Sequence, residues 1–167
     1  MKEFNIESED PAVHWPGMNI TGKNVLDLGC GRWGETDQSK MTPIYFLNQG
    51  AKSVVGVDAC INEINYFNSL NLPNTTFIFK GIEDAPTVIS LIQKYKIDTI
   101  KCDIEGRETF ILDLKKEDIT NISTLYIEYH GDHIKHALVP KLIELGFTIP
   151  QIGYLWFPGY GVLFCEK

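Results

Sequence analysis

Two stretches of this sequence bring together groups that could hold a ligand and move a proton. The first is Asp27-Leu28-Gly29-Cys30-Gly31-Arg32-Trp33-Gly34, a literal G-x-G-x-x-G run that follows the apolar Val25–Leu28. Glycines there let the backbone pass close to a ligand. The second is the pair Asp103/Glu105, with Glu108 behind them and His130 following a later apolar run. Carboxylates and an imidazole of this kind bind hydroxyls and take protons from them, and general-base help contributes ~10²–10⁴ in rate. The unperturbed histidine pKa of ~6.5 suits that task.

A dinucleotide requires the glycine loop to open a helix whose amides meet a pyrophosphate. Two features oppose that here: Glu35 would set a carboxylate beside the phosphates, and the best helix start, Thr42-Pro43, lies eight residues beyond Gly34. A cationic ligand fits better. S-adenosylmethionine carries an ammonium and a sulfonium against one carboxylate, so Asp27 and the carbonyls around Gly29 and Gly31 complement it. Asp58, with Ala59, ends the next apolar run, where an acid can take both ribose hydroxyls; the alternative is a helix cap ahead of Ile61.

The remaining acids and histidines admit competing readings. Asp103, Glu105 and His130 are the candidate catalytic groups, with Asp103 shared with the cofactor. Glu105 and Glu108 could instead be first-turn helix acids, and His130 a hydrogen-bonded turn residue. Glu128, His130, Asp132, His133 and His136 have metal-ligand chemistry, and Asp103 with Asp132 would suit Mg²⁺. No closed zinc spacing is present, so no metal is expected: Asp132 caps a helix whose exposed first turns carry His133 and His136.

These groups need a scaffold that gathers strand ends. Strands are predicted at Val25–Leu28, Ser53–Val57, Thr76–Phe79, Thr99–Asp103 and Thr124–Tyr129, each short, rich in β-branched or aromatic residues and closed by turn residues. Helices alternate with them. Thr42 caps a helix from Pro43 to Asn48, which Gly50 closes. Ile61, Ile64, Phe67 and Leu70 form one apolar stripe, and Val88, Leu91, Ile92 and Tyr95 form another behind an Asp84 cap. A further helix ends near Leu145 with Gly146 past its end, and Pro140 either kinks it or marks its start. Phe147–Ile152 and Tyr160–Cys165 flank a Pro158-Gly159 turn with no crossover between them, so they pair antiparallel. The expected fold is a doubly wound, Rossmann-like α/β domain with a seven-stranded, mostly parallel sheet and a C-terminal antiparallel hairpin. It spans residues 23–167, behind an irregular segment 1–22 that packs over the sheet edge or the site.

The 167 residues fit one domain. A net charge of −7 provides no footprint for a phosphate backbone, so nucleic acid is not an expected partner. No stretch reaches the apolar length of a membrane span, and the acidic start is no signal peptide. The four cysteines lack any Cys-x-x-Cys pair and are read as reduced thiols of a cytoplasmic protein.

VLDLGCG, the VVGVD strand end and the terminal hairpin resemble class I S-adenosylmethionine-dependent methyltransferases over most of residues 22–167. Within them, IKCDIEGRE and LYIEYH are similar to the fourth and fifth strands of FkbM-type enzymes, the second match being the more specific. The resemblance implies O-methylation of a hydroxyl on a sugar or small metabolite. It also implies that Ile82 packs on adenine, with Glu83 standing in for an acid absent directly after Gly81. The loop Arg32–Met41 is longer and more polar than such enzymes carry. The rival functions are an NAD-dependent oxidoreductase and a non-catalytic cofactor-binding subunit. The aromatic run Tyr154-Leu155-Trp156-Phe157 is either an acceptor surface or a homodimer face.

Overall fold

The computed structural model describes residues 1–167 apart from Glu9, Pro16 and Trp33. Its frame is one sheet built from β1 (Lys2–Asn5), β2 (Asn24–Leu28), β3 (Ser53–Asp58), β4 (Thr75–Phe79), β5 (Thr99–Cys102), β6 (Thr124–His130), β7 (Thr148–Tyr154) and β8 (Tyr160–Glu166). The order across the sheet is β1-β7-β8-β6-β5-β2-β3-β4. Only β8 runs against its neighbours, pairing antiparallel with both β6 and β7. The chain reverses at β2, whose two neighbours are β3 and β5. Ligands in such sheets bind outside the carboxyl ends of the strands at that reversal.

Burial on both faces explains the near-continuous apolar runs of the central strands. Val25, Leu26, Leu28, Val54 and Val57 are all essentially inaccessible. Helices cover both faces: α1 (Pro11–His14), α2 (Thr42–Asn48), α3 (Ile61–Ser69), α4 (Ala85–Tyr95) and α5 (Asp132–Glu144). Asp84 caps α4 by accepting from the Thr87 amide. That helix stops where Lys96 takes a left-handed conformation. Gly146, at φ +92°, closes α5, and Pro140 lies inside that helix.

The sheet has eight strands rather than seven. The additional one, β1, comes from the stretch read as irregular, and it pairs parallel with β7. It is four residues long with only Phe4 partly buried, so it carries no usable hydrophobic period. Two expected helix caps also differ. Thr42 sits at the first helical position behind Met41, and its hydroxyl donates to Asp27 Oδ2 at 2.7 Å instead of capping α2. Asp132 likewise opens α5 behind Gly131 and pairs with Lys135 at 2.8 Å. Gly131 holds φ +131°, which a side chain disfavours, so the glycine takes the cap position.

Candidate functional site at the carboxyl ends of the central strands

The glycine loop is shaped by two close approaches. Gly29 has φ +75°, and a Cβ there would collide with the carbonyl oxygen of Asp103. At Gly31 a Cβ would sit 3.0 Å from Asp58 Oδ2, the atom that accepts from the Gly31 amide at 2.9 Å. The other Asp58 oxygen accepts from the Cys60 amide at 2.7 Å. Asp58 therefore ties the loop after β2 to the turn that opens α3, and each oxygen retains a lone pair for a further donor.

Described polar groups of the loop 32–41 are engaged within it and against α3. Glu35 turns onto its own backbone, accepting from the amides of Thr36 and Asp37 at 2.7 Å each. Asp37 caps a 3₁₀ turn at Gln38–Lys40. Arg32 donates to Glu63 Oε2 at 2.8 Å and lies 3.8 Å above the Tyr66 ring. Trp33 lies outside the described residues.

Two adjoining cavities open at this end of the sheet. One, of about 530 Å³, is lined by Gly29, Gly31, Asp58, Ala59, Ile82, Glu83, Asp103 and Glu105. Ile82 is buried and Glu83 exposed, so an apolar wall and an acid stand side by side. The other, of about 610 Å³, shares Gly29, Gly31, Asp103 and Glu105 and is walled further by His14, Trp15, Lys101, Glu128, His130 and Tyr160. Apart from Asp27, every residue expected to hold the cofactor lines the smaller cavity.

Asp27 has a different role from the one its motif position implies. It is 0 % exposed, and Lys101, its register partner on β5, brings Nζ to 3.1 Å from its Oδ1. Lys101 also donates to the Gly29 carbonyl at 2.7 Å and lies 3.5 Å from Asp103 Oδ2. Burial pushes the Asp27 carboxyl up, while the Lys101 ammonium and the Thr42 hydroxyl pull it back. For Lys101, burial opposes the charge, but Asp27 and Asp103 outweigh it and raise the ammonium above its ordinary value. Asp27 lines neither cavity, and its carboxylate faces Lys101 and Thr42 inside the fold.

His130, Asp103 and Glu105 do come together. His130 Nδ1 lies 2.7 Å from Glu108 Oε1, while Nε2 faces Glu105 Oε2 at 3.5 Å, Glu128 Oε1 at 3.6 Å and Asp103 Oδ1 at 3.7 Å. Burial alone would lower the imidazole pKa, but Glu108, Glu128 and Asp103 overcome it and raise it to about 9. Glu108 is a first-turn acid, opening the 3₁₀ helix Glu108–Asp113, and it is fully buried with Oε1 against His130 Nδ1. Glu128 faces the cavity, with its Oε2 2.6 Å from Nε2 of His14. Burial pushes its carboxyl above the usual range despite the opposing pull of His14.

Lys101 and His14 had no place in the sequence reading. A lysine between Ile100 and Cys102 in a strand buried along its whole length demands a buried anion, and that signal was available. His14 gave none, because its contact with Glu128 spans 114 residues. His133 and His136 are exposed on α5, and among the described residues neither joins a cluster able to hold a metal.

No family model matches the chain, and no curated protein proves similar in sequence. Solved structures do share the fold. A Listeria monocytogenes protein described as a candidate S-adenosylmethionine-dependent methyltransferase is 16% identical with a TM-score of 0.66, over 90% of this chain and 92% of that one. A Streptococcus pneumoniae structure described as a candidate tRNA (m1A22) methyltransferase in complex with S-adenosyl-L-methionine is 16% identical, TM-score 0.61, covering 88% of this chain and 67% of its own. Aeropyrum pernix fibrillarin with natively bound S-adenosyl-L-methionine is 12% identical, TM-score 0.60, covering 87% and 66% respectively. At these identities the likeness establishes the architecture: a Rossmann-like methyltransferase fold with a C-terminal antiparallel hairpin.

Proposed function

We propose that this chain is an S-adenosylmethionine-dependent methyltransferase acting on a hydroxyl of a sugar or small metabolite, in the manner of FkbM-type enzymes. The observation that carries the reading is the pair of cavities meeting at Gly29, Gly31, Asp103 and Glu105. Adenosine fits the smaller one, with Asp58 accepting from the ribose hydroxyls and Ile82 against the adenine face. Gly29 and Gly31, which line both cavities, would hold the methionyl arm, and Lys101, whose Nζ donates to the Gly29 carbonyl, would supply a positive charge beside its carboxylate. Two solved structures of the same fold hold this cofactor.

The acceptor occupies the larger cavity, whose lining includes Trp15, Leu155, Phe157 and Tyr160 as well as Asp103 and Glu105 after β5 and Glu128 on β6. Bound S-adenosylmethionine would supply the methyl group, the acceptor O–C bond forming as the C–S bond breaks, and the acceptor's proton would pass to a carboxylate of this chain. Glu128 is the group suited to that step, because burial raises its proton affinity and His14 holds one of its oxygens. Asp103 and Glu105 orient the hydroxyl. Positioning two bound reactants supplies much of the acceleration in such a reaction. The net charge of −7 weighs against RNA as the acceptor.

Asp58→Asn tests the ribose contact. Losing a charged acceptor costs about 1.5–3 kcal/mol, so S-adenosylhomocysteine should bind roughly 10- to 150-fold more weakly by calorimetry. Unchanged affinity would leave Asp58 as a backbone brace only. The acceptor class is tested by incubating the chain with methyl-tritiated cofactor and fractionated metabolite, glycan, RNA and protein extracts. Label should enter metabolite or glycan hydroxyls; label confined to RNA or protein would overturn the acceptor assignment.

A further inference from the structure

We infer that Asp103, Glu105 and His130 form a binding site for a divalent cation of the Mn²⁺ type, placed to receive the acceptor's oxygen. One carboxylate oxygen from each acid and one imidazole nitrogen lie within 4.8 Å of one another, the two acids lining both cavities and His130 the larger one. The histidine makes this more than a cluster of acids. Its side chain is only 7 % exposed, its Nδ1 is fixed by the fully buried Glu108, and among the described residues its Nε2 makes only long ion-pair contacts with carboxylates. That nitrogen lies 3.5 Å from Glu105 Oε2 and 3.7 Å from Asp103 Oδ1, too far for strong hydrogen bonds and within reach of an ion between them.

A carboxylate behind the histidine that sets its tautomer and orientation is the usual support of a metal-bound imidazole. Glu108 fills that place, and its second oxygen is buried without a hydrogen-bond partner among the described residues. Charge points the same way. Asp103, Glu105, Glu108 and Glu128 surround one imidazole, and Lys101 is engaged by Asp27 as well as by Asp103. Oxygen donors favour Mg²⁺ and Mn²⁺ while imidazole favours later transition metals, so a mixed set with one nitrogen selects Mn²⁺ over Mg²⁺. Glu105 is 58 % exposed on its side chain, which leaves coordination positions open to the cavity.

The use of this ion rests on the methyl-transfer reading: it would hold the acceptor oxygen as a Lewis acid while the proton leaves to Glu128. Its existence does not depend on that reading, and the test separates the two. Chelator-stripped protein is titrated with Mn²⁺, and free ion is followed by electron paramagnetic resonance in wild type, Glu105→Gln and Asp132→Asn. S-adenosylhomocysteine binding is measured on the same samples. The exposed Glu105 can be changed without touching the core, and Asp132 is an exposed acid of α5 outside both cavities. One Mn²⁺ per chain, bound at least tenfold more weakly by Glu105→Gln and equally by Asp132→Asn, supports the site. Absence of stoichiometric binding, or binding indifferent to Glu105→Gln, overturns it. Stoichiometric Mn²⁺ with no affinity for S-adenosylhomocysteine would retain the site and reject the methyltransferase reading.

Discussion

Lys101→Met is expected to lower the melting temperature by roughly 6–20 °C, because removing one partner of a buried ion pair costs about 3–5 kcal/mol and each kcal/mol moves a chain of this size by about 2–4 °C. The cost arises from what is left behind. Asp27 is fully buried, and without Lys101 its remaining described side-chain partner is the Thr42 hydroxyl. The Gly29 carbonyl would lose its lysine donor in the same substitution, loosening the loop that both cavities share. Thermal unfolding followed by circular dichroism measures the effect. The double variant Lys101→Met/Asp27→Asn should recover part of the loss, since it removes the stranded charge. A melting temperature within a degree or two of wild type would mean that the pair contributes nothing net.

Glu128→Gln should reduce kcat by about 10²- to 10⁴-fold while leaving S-adenosylhomocysteine affinity near wild type. Glutamine keeps the shape and an acceptor for His14 but cannot take the acceptor's proton at neutral pH. The carboxylate lines the larger cavity and not the smaller one, so cofactor capture and proton removal are separable. A base acting only as the hydroxyl loses its proton contributes to the transition state rather than to ground-state binding. Steady-state rates on an identified acceptor, paired with calorimetry, decide it. Unchanged turnover removes Glu128 from the chemistry; a parallel loss of cofactor affinity makes it a structural residue.

Local signals located most of the scaffold. Asp84 ahead of an apolar stripe, Gly146 after another, and short β-branched runs ending in acids each reflect a constraint acting within a few residues. The ends of β2, β3, β5 and β6 were recognisable for that reason, and with them Gly29, Asp58, Asp103 and His130. Features governed by distant partners were not. Phe4 and its neighbours become a strand only because β7 offers an edge. Asp27 looked like a ligand group because its motif position is visible, whereas the register that sets Lys101 beside it is not. Asp103, Glu105 and Glu108, from one stretch of chain, meet Glu128 and His130 of β6 only in the folded chain. His14 was unreadable for the same reason.

The central claim is that the two cavities hold a sulfonium cofactor rather than a dinucleotide, and isothermal titration with S-adenosylhomocysteine and with NAD tests it most directly. Asp58 could serve a ribose in either ligand. The loop after Gly34, however, turns Glu35 onto the amides of Thr36 and Asp37, and α2 begins only at Thr42, so among the described residues no α-helix opens directly behind the glycines to meet a pyrophosphate. The account predicts one site per chain for S-adenosylhomocysteine, weakened by Asp58→Asn, and no detectable heat with NAD. Saturable binding of NAD, with none of S-adenosylhomocysteine, would contradict it.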